Sequence, residues 1–121
     1  DPVGTSICGG GLYLPEPQLL KALRTEFYTV PEDLTEILET TNFKKFYNGL
    51  WGDKLILPPK GFDRNFEHID LLKYKHYVVI NDIDKKTISS DSLTDYLTNA
   101  HKAVLPFFKL LNAIAEDAGA V

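Results

Sequence analysis

The residues best suited to chemistry gather between Gly49 and Lys75, GLWGDKLILPPKGFDRNFEHIDLLKYK, and beside the run Gly9-Gly10-Gly11. His68 and Asp70 stand two apart, with Asp63 and His76 nearby, so an imidazole and a carboxylate are available for acid–base work or for holding a metal. No recognised metal-ligand spacing is met, and no metal is expected. On a short helix the two side chains point to opposite sides, and the plainer reading is a helix-start Asp and a surface His. From Lys54 to His76, five basic residues (Lys54, Lys60, Arg64, Lys73, Lys75) stand against three acids (Asp63, Glu67, Asp70), in a chain of net charge −4. A small phosphate- or carboxylate-bearing anion would be drawn there, held by Lys60, Lys73 and Lys75 and by the backbone of Gly10 and Gly11. The competing reading is a loop solvated by long cationic side chains.

Three further features invite chemistry and have structural explanations. The glycine run lacks both the GxGxxG spacing of a dinucleotide site and the Lys-Ser/Thr ending of a P-loop, so a bulged strand or a close crossing is expected. Trp51, between Gly49 and Gly52, reads as a loop anchor packed on the core rather than a ligand platform. Cys8 has no adjacent cation to lower its pKa and is not read as a nucleophile, and His101, beside an apolar helical stripe, reads as structural or surface.

The elements that must position these residues follow from periodicity. Thr5 to Leu14 reads as a strand ended by Pro15 and Pro17, with Pro17 at the first position of a helix over Gln18 to Phe27. A second helix opens at Val30-Pro31-Glu32-Asp33 and runs to about Thr40, and Asn42 to Tyr47 adds one further turn before Asn48-Gly49. Leu55 to Leu57 is a candidate edge strand, Pro58 to Gly61 a loop, and Asn65 to Lys73 a short helix. Tyr77 to Ile80 is a strand, and Asn81 to Lys86 a polar turn. Thr87 to Ser89 is a candidate second strand. Ser90-Asp91 then caps a long C-terminal helix whose apolar positions, from Leu93 to Ala115, keep the helical period, with a kink expected at Pro106. The fold class is therefore α+β: a small mixed or antiparallel sheet covered by several helices, the kinked C-terminal one longest.

Composition narrows the function classes. With 121 residues, 44% apolar and 12% aromatic, the chain can bury a core as one domain, or as the C-terminal part of a larger one. The acidic balance argues against nucleic acid, and no apolar run approaches the roughly 18–20 residues that span a bilayer. A single Cys excludes an internal disulfide, and cytoplasm is the simplest compartment. No motif calls for a cofactor. The start at Asp1 and the absence of Met lead us to expect a fragment or a processed chain.

The elements Gly9-Gly10-Gly11-x-Tyr13-x-Pro15, Leu50, Gly52, Pro59-Lys60-Gly61-Phe62, His68 and Asp70-Leu71-Leu72-Lys73-x-Lys75 carry a resemblance. Together they resemble the C-terminal half of the bacterial domain-of-unknown-function 2461 family, over nearly the whole chain. The hallmark motif of that family, RxxRDxRFxxx[DN]KxxY, belongs to its N-terminal half and is absent here. The resemblance thus implies a missing N-terminal half that packs against this chain, and it carries no catalytic role. Two functions stay open. One is a small-anion site, with Lys60, His68, Asp70, Lys73 and Lys75 meeting the Gly9 to Gly11 backbone. The other is a non-catalytic interaction or scaffold module, with Trp51, Phe62 and Phe66 of the loop 50–66 as its contact surface.

Overall fold

The computed structural model of the chain describes residues 6–83 and 90–119. Two strands, β1 (Ser6–Leu12) and β2 (Tyr77–Ile83), pair antiparallel in the register Ser6 to Ile83 through Leu12 to Tyr77. Helices α1 (Pro17–Thr29), α2 (Glu32–Glu39) and α3 (Thr41–Phe46) lie between them in sequence, with the short α4 (Ile69–Leu72). The chain closes with α5 (Ser90–Asp117), a helix of 28 residues that continues through Pro106. The architecture is α+β, as the periodicity implied.

Local chemistry explains the helix starts. Pro17 fixes φ in the first turn of α1, where its missing N–H costs nothing. Glu32 and Asp33 place negative charge at the positive end of α2. Thr40 caps α3 by accepting the Phe43 amide on its hydroxyl at 3.3 Å.

One face of the sheet meets the helices. Residues opposite each other in an antiparallel pair share a face, so Tyr77 with Leu12 and Val79 with Gly10 point the same way. Both Tyr77 and Val79 are fully buried, among Leu23 and Phe27 of α1, Leu34 of α2, Phe43 of α3, Leu72 of α4, and Val104 and Phe107 of α5. The Tyr77 ring lies 5.1 Å from that of Phe27, and its hydroxyl donates to the Leu71 carbonyl at 2.7 Å. Two other side chains reach backbone carbonyls from inside the fold, although the buried Arg24 Nε has no partner among the described residues. Tyr47 donates to the Ala100 carbonyl, and Arg24 donates through Nη2 to the Tyr74 carbonyl.

Several sequence expectations are corrected. No bulge interrupts β1, which keeps a one-to-one register through all three glycines. The need for glycine is instead a close crossing: a Cβ on Gly11 would sit 2.1 Å from the Tyr77 carbonyl oxygen, at a φ of +136°. β2 runs three residues beyond Ile80, and the buried Asn81 is held there through its Nδ2, which donates to the Phe46 carbonyl and the Tyr96 hydroxyl, while its Oδ1 has no partner among the described residues. Leu55 to Leu57 is not a strand. Beside it the ladder is reduced to a single bridge, Lys54 to Tyr74, and Ile56 turns out to solvent. The expected helix over 65–73 is confined to Ile69–Leu72. The candidate strand Thr87 to Ser89 lies outside the described residues.

Candidate functional site

The second face of the sheet carries His76 and Val78, which alternate away from Tyr77 and Val79. Here the backbone of Trp51 joins the free edge of β2 in one bridge, its amide donating to the Val78 carbonyl at 2.8 Å. Trp51 is thus anchored by its backbone, while its side chain is 49% exposed, contrary to the packed anchor expected from the flanking glycines.

His76 is the most ordered chemical group on this face. It is 6% exposed, and the Tyr13 ring is stacked on it at 4.4 Å and 15°. Its Nδ1 accepts the Leu14 amide at 3.0 Å, which assigns the proton of the neutral ring to Nε2. Its Cδ2 lies so near Gly52 that a Cβ there would come within 3.1 Å. Leu14 takes a φ of +46°, a left-handed conformation that costs a non-glycine residue energy, and its hydrogen bond to His76 helps hold it. Sequence reasoning noted His76 as a neighbour of His68 and passed over its real partners, which lie 62 residues away. The available signal was a His placed directly before a strand of buried type, opposite an aromatic that comes after a glycine run.

The predicted anion-binding residues are dispersed. Gly10 and Gly11 line a groove of about 340 Å³ with Leu12, Phe108, Leu111 and Asn112. Lys75 lines a different groove, of about 500 Å³, with Asp53, Lys54, Leu55, Ile56 and Leu57. Lys73 pairs with Asp70 at 3.4 Å across one helical turn, so these two neutralise each other at the end of α4. His68 stands at the start of α4 with its ring edge-on to Phe66 and Glu67 3.9 Å from Nε2. Lys60 lies exposed in the Pro58–Gly61 loop. Among the described residues no group of three His, Cys, Asp or Glu side chains is placed to hold a metal ion. Among them, too, no helix is long and apolar enough to cross a membrane.

The aromatic side chains of the loop divide in the same way. Phe62 and Phe66 fold back onto Tyr28 of α1, at 5.2 and 4.8 Å between ring centres. They are half-buried and help close the core. Apart from Val30 at the end of α1, the large apolar side chains that do face solvent are Tyr13, Leu14, Trp51, Ile56 and Leu57. They flank the neighbouring backbone positions Gly52-Asp53 and Lys75-His76, where the His76 cluster adjoins the groove of Lys54 and Lys75.

A second cluster of ionisable groups lies on the helical side. The Glu26 carboxyl is raised above the usual carboxylate range, first by a hydrogen bond with Asp33, then by burial and by the charges of Asp33 and Asp117. Here Asp33 of α2 and Asp117 of α5 both act on Glu26 of α1.

No curated protein and no solved structure matches the chain. One family does: the sequence model of the conserved hypothetical protein family DUF2461 matches residues 1–110. The resemblance drawn from the Gly-Gly-Gly and Pro-Lys-Gly-Phe elements is thereby met over most of the molecule, and the chain belongs to the DUF2461 family.

Proposed function

We propose that this chain is a non-catalytic docking module whose outer face receives a second polypeptide, and that its occupant is the N-terminal half of a family member. The observation that carries this reading is the exposure of large apolar side chains at Tyr13-Leu14, which contact His76, and at Ile56-Leu57, which share a groove with the adjacent Lys75. Ile56 is 92% exposed, Leu57 68%, Leu14 66% and Tyr13 63%. Patches of large apolar side chains left in solvent mark interaction sites. Lys54 and Lys75, lining the groove beside Ile56 and Leu57, give it a cationic rim, and carboxylates on the occupant would complement them.

The small-anion reading draws less support. Lys73 is engaged by Asp70, and Lys60, His68 and Lys73 line neither the glycine groove nor the groove of Lys54 and Lys75.

The test is an NMR titration of the labelled chain with a separately expressed N-terminal half from a family member. The expected result is perturbation centred on Leu14, Trp51, Ile56 and Leu57. Replacing Ile56 and Leu57 together by Ser should weaken binding about tenfold or more, as the loss of central apolar contacts does. An occupied complex that leaves these four residues unperturbed would overturn the proposal. In a parallel titration with inorganic phosphate, a saturable shift at Lys60 and Lys73 would restore the anion site.

A further inference from the structure

We propose that His76 is a proton-operated latch that holds the end of β1 in its left-handed turn. The hydrogen bond from the Leu14 amide uses the lone pair on Nδ1. A protonated imidazole carries a hydrogen on both nitrogens and has no lone pair left to accept with. Protonation therefore turns an attraction between Leu14 and His76 into an opposition of two N–H groups. Because His76 is 6% exposed, the ring cannot turn freely to water to relieve that opposition.

The segment on the other end of this bond is already set against its own preference. Leu14 sits at φ +46° without being glycine, two residues beyond Leu12, the last paired residue of β1. Once its amide is released, Leu14 is free to leave the left-handed region. The Tyr13 stack behaves differently, since the face of an aromatic ring attracts a cation and the contact survives protonation. The movement is thus confined to the Leu14 peptide and the residues after it, while Tyr13 stays over the imidazole.

The groups around the ring do not pre-empt the switch. Tyr13 is stacked on it, Gly52 contributes no charge, and Asp53, Lys54 and Lys75 line the adjoining groove. None of them is ion-paired with His76 among the described residues. The latch stands on these contacts alone and does not depend on the docking reading, although Leu14 belongs to the exposed surface.

The experiment tracks two NMR signals of the chain from about pH 8 to about pH 5, the range where imidazoles change charge: the His76 Cε1 proton and the Leu14 amide. As His76 takes up its proton, hydrogen exchange at Leu14, corrected for its intrinsic pH dependence, should accelerate about tenfold, the equivalent of one lost hydrogen bond. Tyr13 ring shifts should still report stacking. His76→Asn places an amide oxygen near the position of Nδ1 and cannot be protonated, so its Leu14 exchange should be independent of pH. A Leu14 amide that keeps its protection while His76 titrates would overturn the latch. So would a His76 that does not titrate in this range, or an Asn variant with the same acid-dependent loss. If the Asn variant does not fold, the coincidence of the two wild-type signals decides.

Discussion

On the helical side of the sheet, Tyr77 and Val79 are fully enclosed by residues from all five helices; on the other side, Tyr13 and Trp51 are about half exposed over the same two strands. Both sides use aromatic and aliphatic residues. What separates them is coverage: α5 lies against β1 on the first side, and only loop backbone and the Tyr13–His76 stack occupy the second. Residue type alone therefore does not divide core from surface in this protein. The enclosed side supplies stability, and the open side is the one we propose for docking.

The sharpest way to break this division is to remove one large side chain from each side. Phe107→Ala empties a fully buried site and should cost about 3–5 kcal/mol in urea-induced unfolding. Gly11→Ala, at the crossing that both sides share, forces a methyl group onto the Tyr77 carbonyl at an unfavourable φ and should cost about 3 kcal/mol. Glu26→Gln should act in the opposite direction and more weakly. Because the folded-state pKa of Glu26 is raised, the fold binds this proton more tightly than the unfolded chain does. The fold therefore loses stability as pH rises from the unfolded value through the folded one. The amide should raise stability at neutral pH, a gain that disappears as Glu26 itself becomes protonated in acid and is read as a pH-dependent difference in Tm. Smallest of all, Ile56→Ser should change stability by no more than about 0.5 kcal/mol. A cost near that of Phe107→Ala would show that the open side is a second core.

How much of this was legible in the sequence depends on the range of the forces involved. The helices α1, α2, α3 and α5 and the start of β2 were legible because apolar spacing, Pro17 and the acids at Glu32-Asp33 are local signals. The glycine run was placed in a strand correctly, but its cause was not visible, because the Tyr77 carbonyl that forbids a side chain at Gly11 is 66 residues away. Asn81 misled for a similar reason. A polar residue reads as a turn until Phe46 and Tyr96 are seen to accept from its amide nitrogen. Leu55 to Leu57 looked like strand because its residues are apolar, and composition does not report that the pairing beside it stops at two isolated bridges, Trp51 to Val78 and Lys54 to Tyr74. In the candidate site, the lysines were countable but their directions were not. Lys73 is committed to Asp70, and Lys75 opens on a groove shared with neither Lys60 nor the glycines.

The enclosure of Tyr77 also provides an optical gauge of the fold. Burial pushes its phenol well above the ordinary tyrosine range, and the nearby Arg24 guanidinium only partly opposes this. Within the native fold this one of six tyrosines stays un-ionised through the alkaline range where a free phenol gives up its proton. Tyrosinate absorbance from Tyr77 should therefore emerge only when the sheet opens. Above about pH 10 alkali itself favours the unfolded chain, since that is the state in which this proton can leave.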